Sequence, residues 1–171
     1  MHSMEKKKLP GMAFKLDISK AYDKVRWDFL YDVLERVGFN EKVLTLIRTM
    51  VSIVQYAILL NGSHWGNIEV GKGLRQGDLL YPYLFIMVAK VLGCSFTKLV
   101  SIGYVKGIKH ATSVEAKVLK QFVDDMFLFR ESSIMEAKAW KSILKSYEDC
   151  SGQKINYFKR KLYFFNTNAL M

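Results

Sequence analysis

The chain has 171 residues, half of them hydrophobic, which is enough to build one domain with a real core and excludes intrinsic disorder. Lys and Arg (26) outnumber Asp and Glu (16), leaving +10 and a pI near 9.5, a balance that suits a polyanionic partner, nucleic acid first and anionic membrane second. Two distant cysteines (Cys94, Cys150) and three scattered histidines form neither a disulfide framework nor a zinc pattern, so a reducing intracellular location is expected, with nucleus or cytoplasm left open.

Residues 1–12 read as a basic tail ahead of a single domain over 13–171. Met1 to Leu9 is polar and lysine-rich with no apolar stretch behind it, which is not a signal peptide. Ala13 to Ile18 predicts a short strand with Asp17 at its end. Leu30, Val33, Leu34 and Val37 recur at helical spacing, predicting a helix over Trp27 to Val37 closed by Gly38. Asn40 is placed to cap a second helix with Val43, Leu46, Ile47 and Met50 on one face. Ile53 to Leu60 and Trp65 to Val70 are strand-like, and Asn61-Gly62 between them is a hairpin signal, because both residues tolerate the positive φ that the turn needs.

Gly71 to Asp78 is a glycine-rich polar loop, and Tyr83 to Val100 reads as a largely buried helix. The longest apolar run, Leu79 to Ala89, covers 11 residues and contains Pro82, short of the roughly 18 that a membrane span needs, so a soluble protein without a membrane partner is expected. Glu115 to Val123 and Met126 to Arg130 predict two strands meeting at Asp124-Asp125. Ile134 to Cys150 is an amphipathic helix ended by Ser151-Gly152, and Leu162 to Phe165 is a last strand. Strands and helices mix without strict alternation, which favours an α+β fold with helices packed on one side of an antiparallel sheet.

The carboxylates carry the chemistry. Asp124 and Asp125 lie between Phe122-Val123 and Met126-Phe127-Leu128-Phe129, and adjacent charges in apolar strands are costly unless neutralised. On its own the pair reads more readily as a solvated turn. Asp17 ends a second apolar strand, and side by side the two strands would bring three carboxylates to one sheet edge. Hard oxygen ligands of this kind suit Mg²⁺. Two such ions about 4 Å apart can activate a hydroxyl and stabilise a leaving pyrophosphate.

Four segments in order resemble the reverse transcriptase domain of non-LTR, LINE-type retrotransposons, over about Phe14 to Phe165. Phe14-Lys15-Leu16-Asp17-Ile18-Ser19-Lys20-Ala21-Tyr22-Asp23 is similar to motif A of that family. Gly73-Leu74-Arg75-Gln76-Gly77-Asp78 followed by Pro82 is similar to motif B, Phe122-Val123-Asp124-Asp125 to motif C, and Ser151-Gly152-Gln153-Lys154-Ile155-Asn156 with Lys159 to motif D.

The resemblance implies a right-hand-polymerase palm that joins dNTPs to a DNA primer on an RNA template. Asp17 and Asp124 would hold Mg²⁺, two ions in all or Mn²⁺ in their place, with Asp125 a supporting or second ligand and the Ile18 carbonyl completing one shell. Tyr22 would lie under the sugar of the incoming nucleotide and exclude a 2′-hydroxyl. Gln76 and Gly77 would touch nucleotide and template, Arg75 a phosphate, and Lys159 would donate a proton to the leaving pyrophosphate. The chain departs from the family at Leu79-Leu80-Tyr81, Val123 and Met126, as a decaying copy would. Most of the fingers and the thumb are expected to lie outside it, so the chain alone is expected to bind primer–template weakly without extending it. A non-catalytic nucleic-acid-binding remnant and a domesticated interaction module are the competing readings.

Overall fold

The computed structural model describes residues 11–104, 119–122, 125–130 and 134–165. In chain order its elements are β1 (Gly11–Ser19), α1 (Trp27–Val37), α2 (Glu41–Ser52), β2 (Gln55–Leu60), β3 (Ser63–Glu69), α3 (Tyr81–Ser101), β4 (Leu119–Phe122), β5 (Asp125–Arg130), α4 (Ile134–Ser151) and β6 (Lys154–Phe165). The main sheet has the order β4-β5-β1-β6, with every neighbouring pair antiparallel. β2 and β3 form a separate two-stranded ribbon.

The local devices expected from sequence are in place. The Asn40 side chain accepts from the Val43 amide (3.0 Å) at the start of α2, and Gly38 (φ +102°) ends α1 with its amide on the Glu35 and Leu34 carbonyls. Asn61 and Gly62, at φ +50° and +82°, turn the β2–β3 ribbon. Asp78 accepts from the Leu80 amide (2.8 Å) just before α3, where Pro82 in the first turn forfeits no helical hydrogen bond.

Side chains alternate across the main sheet. Leu16 and Ile18 of β1, Met126 and Leu128 of β5 and Ile155 of β6 are buried in one core with Val88, Leu92 and Phe96 of α3 and Trp140, Leu144 and Tyr147 of α4. Trp140 takes Phe14 and Phe96 edge-on, at centroid distances of 5.9 and 6.1 Å. The intervening residues Lys15, Asp17 and Asp125 therefore belong to the opposite, open face.

Two expectations need correction. β6 covers 12 residues rather than only 162–165, because its first part pairs with the end of β1 (Ile18↔Ile155) and its last part with the start (Gly11↔Phe165). From Tyr81 on, the Leu79 to Ala89 run belongs to a 21-residue helix that is long and apolar enough by length and composition to cross a membrane. That helix is not largely buried. Tyr81, Leu84, Phe85, Val88, Leu92 and Phe96 form a buried stripe, whereas Tyr83 and Ile86 are 67% and 57% exposed. Its apolar content reflects one face packed in the core and one unpacked.

This one-sidedness is measurable. Leu92→Ala should lower unfolding free energy by about 2–5 kcal/mol, whereas Ile86→Ala should change it by less than about 0.5 kcal/mol. Urea denaturation of both variants distinguishes them, and equal losses would contradict the packing described.

Candidate active site

β1 and β5 pair with Asp17 directly opposite Asp125, so the two carboxylates share the open face at the end of the strand pair. Asp124 and Val123 lie outside the described residues, and with them the carboxylate expected to hold metal together with Asp17. Among the described residues no group of three His, Cys, Asp or Glu converges on one point. The pair that does converge is flanked by cations. Lys15 Nζ lies 2.7 Å from Asp125 Oδ2 and 5.6 Å from the centre of the Phe127 ring. Its hydrogen bond to Asp125 holds the Lys15 ammonium above the usual lysine value. Lys159 Nζ lies 3.7 Å from Asp17 Oδ2.

A register irregularity delivers Lys159. Lys15 pairs with Lys161 and Asp17 with Asn156, so five steps of β6 are set against two of β1. The Asn156 side chain holds this surplus by accepting from the Phe158 and Lys159 amides at 3.1 and 3.3 Å. Phe158 in the same stretch is fully exposed.

The other expected residues gather in one cleft of about 430 Å³. Ile18, Tyr22, Arg75, Gln76 and Gly77 all line it, together with Lys20, Ala21 and Pro82. The cleft forms because the loop after β1 is tied to the segment 72–75. The Gly73 amide donates to the Val25 carbonyl (2.7 Å), the Leu74 amide to the Tyr22 carbonyl (2.9 Å) and Trp27 Nε1 to the Gly73 carbonyl (2.8 Å). Gly73 has φ +94°, and a Cβ there would lie 2.7 Å from the Asp23 carbonyl oxygen, so only glycine lets the two backbones approach this closely. The Tyr22 ring stacks on Phe85 with 4.3 Å between centroids and 13° between planes.

Several positions that build or line the site carry no signal of it in the sequence. Lys20, in the left-handed region at φ +49°, adds a cation to the cleft. Lys15 was passed over, although its two-residue spacing from Asp17 on a strand puts both on one face. The larger omission is the role of Ser151-Gly152-Gln153. Gln153 is 1% exposed; its Nε2 donates to the Ala21 carbonyl (2.6 Å) and its Oε1 accepts from the Tyr147 hydroxyl (2.5 Å). The Ser151 carbonyl accepts from the Arg26 amide (2.9 Å). At Gly152, φ +77°, a Cβ would meet the Lys24 carbonyl oxygen at 2.7 Å. Burial pushes the Tyr147 hydroxyl far above the ordinary phenol range, so it stays neutral and remains a donor. Two of the departures from the family pattern are packed: Met126 is wholly buried, and Tyr81 is 3% exposed with its hydroxyl donating to the Met50 carbonyl (3.3 Å).

Comparison with known proteins bears on the family and the fold. The protein-family model described as reverse transcriptase (RNA-dependent DNA polymerase) matches residues 1–167. The retrovirus-related Pol polyprotein from type-1 retrotransposable element R2 of Popillia japonica is 30% identical over 122 residues, covering 70% of this chain and 16% of that protein. Thus the chain spans under a fifth of the length of this relative. Apo telomerase of Candida tropicalis superposes with a TM-score of 0.71 at 15% identity, over 98% of this chain and 34% of that one. Telomerase of Candida albicans, solved with a fragment of telomeric RNA, does so with a TM-score of 0.67 at 15% identity, over 90% and 27%. These likenesses bear out the expected α+β polymerase palm.

Two variants test the site's construction. Gln153→Leu leaves the Ala21 carbonyl and the Tyr147 hydroxyl without this buried partner, and should cost about 1–3 kcal/mol of stability in denaturant unfolding. Lys15→Met removes the cation competing for Asp125 and should tighten Mn²⁺ binding by roughly two- to fivefold, read by electron paramagnetic resonance of free Mn²⁺. Unchanged or weaker binding would show that Lys15 does not compete for the carboxylate.

Proposed function

This chain belongs to the reverse transcriptase (RNA-dependent DNA polymerase) family, and on that premise we propose that its cleft and carboxylates serve template-directed addition of a deoxynucleotide to a primer end. The observation that carries the reading is the convergence of Ile18, Tyr22, Arg75, Gln76 and Gly77 on one cleft, with Ile18 directly following Asp17.

Reverse transcriptases use divalent metal ions. The donor set present fits such an ion: two hard carboxylates share one sheet face, and each already draws a cationic side chain. Asp17 and Asp125 would hold Mg²⁺ or Mn²⁺, with Asp124 and the Ile18 carbonyl as further ligands. When bound, a pair of ions supplies activation of the 3′-hydroxyl and charge neutralisation at the leaving pyrophosphate.

The chain's own residues account for the rest. Arg75 and Lys20 supply positive charge for a triphosphate. Gln76 and Gly77 offer a polar rim along which a nucleotide can lie. Tyr22, held flat by Phe85, sets the wall that a 2′-hydroxyl would strike. Lys159 stands beside Asp17 on a flexible stem, suited to giving a proton to a leaving phosphate oxygen. Transfer of a phosphoryl group depends on this positioning more than on covalent chemistry. An RNA template, a DNA primer and dNTPs are the partners this requires, and the net charge of +10 favours them. The helix α3 is read as a core helix rather than a membrane anchor, on the strength of its buried stripe.

The test is titration of the purified chain with dTTP and UTP, with and without Mg²⁺. Binding of dTTP should require Mg²⁺ and fall at least about tenfold in Asp17→Asn. Tyr22→Ala should shift the preference toward UTP by roughly ten- to a hundredfold. Binding of dTTP that is indifferent to EDTA and to Asp17→Asn would overturn the reading. Salt-sensitive RNA binding without any Mg²⁺-dependent nucleotide binding would instead support the non-catalytic nucleic-acid-binding remnant.

A further inference from the structure

The open face of the main sheet is ordered in rows, because residues directly opposite each other in antiparallel strands share a face. One row holds the carboxylates Asp17 and Asp125. The next row back is basic. Lys15 lies opposite Phe127 of β5 and Lys161 of β6, and Phe127 in turn lies opposite Lys120 of β4. The row crosses four strands, so three spacings of about 4.8 Å set its three lysines along a line of roughly 14 Å. Lys120 and Lys161 are exposed. Lys161 stands directly across from Lys15, an opposition of like charges that costs stability unless a counter-ion is close.

Lys15 finds its counter-ion in the carboxylate row. Its Nζ is 2.7 Å from Asp125 Oδ2 and 5.6 Å from the centre of the Phe127 ring. Both side chains of the pair are partly shielded, at 31% and 37% exposure, whereas Lys159 beside Asp17 is 68% exposed at a distance of 3.7 Å. Asp125 thus has its charge matched and one oxygen engaged by a cation that belongs to the chain. A hard divalent ion takes carboxylate oxygens as ligands, and to reach this one it must displace the ammonium. Lys15 has another partner within reach of its flexible stem. The Phe127 face receives an ammonium, and Lys120 and Lys161 make the whole row attractive to a phosphate backbone.

We propose that the Lys15–Asp125 ion pair is a latch on the metal site, closed in the free chain and opened by a nucleic-acid strand whose phosphates lie on the lysine row and draw Lys15 away from Asp125. The proposal rests on the reading of Asp17 and Asp125 as metal-binding carboxylates. It adds a condition to that reading: the pair has its full attraction for a divalent ion only when a strand is present. Binding free energies are reciprocal, so ion and strand each tighten the other by the same factor. A permanent structural ion pair would give no such coupling.

The test follows Mn²⁺ by the electron paramagnetic resonance of the free ion, with the purified chain and a short RNA–DNA hybrid, subtracting what the hybrid binds alone. The hybrid should tighten Mn²⁺ binding to wild type by roughly two- to fivefold. Lys15→Met should bind Mn²⁺ that much more tightly without hybrid and gain less than about 1.5-fold from it. Lys15→Gln, which keeps a donor without the charge, should match Lys15→Met, and circular dichroism shows which variants are folded. Fluorescence anisotropy of labelled hybrid reads the reciprocal effect: relative to Lys15→Met, Mn²⁺ should raise the hybrid's affinity for wild type by the same factor. No gain in wild type, or equal gains in wild type and variants, would overturn the latch. The full gain from dTMP at matched phosphate concentration would also overturn it, since a free phosphate and not a strand would then be the key. Asp17→Asn keeps the two readings apart. Mn²⁺ binding that ignores this substitution refutes the metal reading of the carboxylates and the latch with it. Mn²⁺ binding that requires Asp17 and ignores the hybrid refutes the latch alone.

Discussion

The backbone between Lys20 and Arg26 is the part on which the rest of the site depends. It leaves β1 with Lys20 in the left-handed region and then runs outside any strand apart from an isolated bridge between Arg26 and Lys72, so most of its backbone groups are met by other parts of the chain. Gln153 meets the Ala21 carbonyl, Leu74 the Tyr22 carbonyl and Gly73 the Val25 carbonyl, while the Arg26 amide is taken up by Ser151. These four bonds come from two distant parts of the chain, and glycines stand where the contacts are tightest: a side chain at 73 or 152 would collide with backbone oxygen at 2.7 Å. One clamp thus sets the pitch of the Tyr22 ring and the mouth of the cleft that it lines. A buried amide that fails to bond costs about as much as several weak surface contacts contribute, so the clamp is best regarded as a unit.

The electrostatics of the open face follow from the strand pairing. Opposed Asp17 and Asp125 would repel each other across an antiparallel pair, yet Lys15 and Lys159 stand against them at 2.7 and 3.7 Å. The two lysines arrive by different routes. Lys15 is two positions from Asp17 on the same strand, and its place follows from the pleat alone. Lys159 depends on the surplus residues of β6, which Asn156 folds back with its own side chain. The cation on Asp125 is therefore set by the regular sheet, and the cation on Asp17 by an irregularity in it. A lysine carried on such a bulge can move without disturbing the ladder.

The strands and helices were legible in the sequence where one period dominated. The spacing of Leu30, Val33 and Leu34 marked α1 to the residue, and Asn40 and Asn61-Gly62 marked a cap and a turn whose backbone angles are those the structure shows. Legibility failed where apolar content had two causes. α3 carries Leu84, Phe85, Val88 and Leu92 on its packed stripe and Tyr83 and Ile86 outside it, and composition does not say which of these is packed. β6 was visible only in its last four residues, because Asn156, Lys159, Arg160 and Lys161 break its alternation. At the site, the cleft residues could be named because short motifs carry them. The clamp was out of reach, since nothing in Ser151-Gly152-Gln153 says that Gln153 reaches a carbonyl 132 positions earlier. Asp124, expected as a metal ligand beside Asp17, falls outside the described residues.

The likeness to telomerase at 15% identity shows how little of the sequence this fold requires. Core positions tolerate exchange provided that volume and patterning are kept, and Tyr81 and Met126 illustrate it here. Each departs from the family's usual residue, yet Met126 is fully buried in the sheet core and Tyr81 finds a carbonyl for its hydroxyl. Such departures are adjustments of packing and leave the Asp17–Asp125 pairing intact. The glycine at 73 has no such latitude, because what it supplies is the absence of an atom at a contact of 2.7 Å. The positions that resist change should therefore be those where backbone meets backbone or where a carboxylate must face open space, and not those that fill the core.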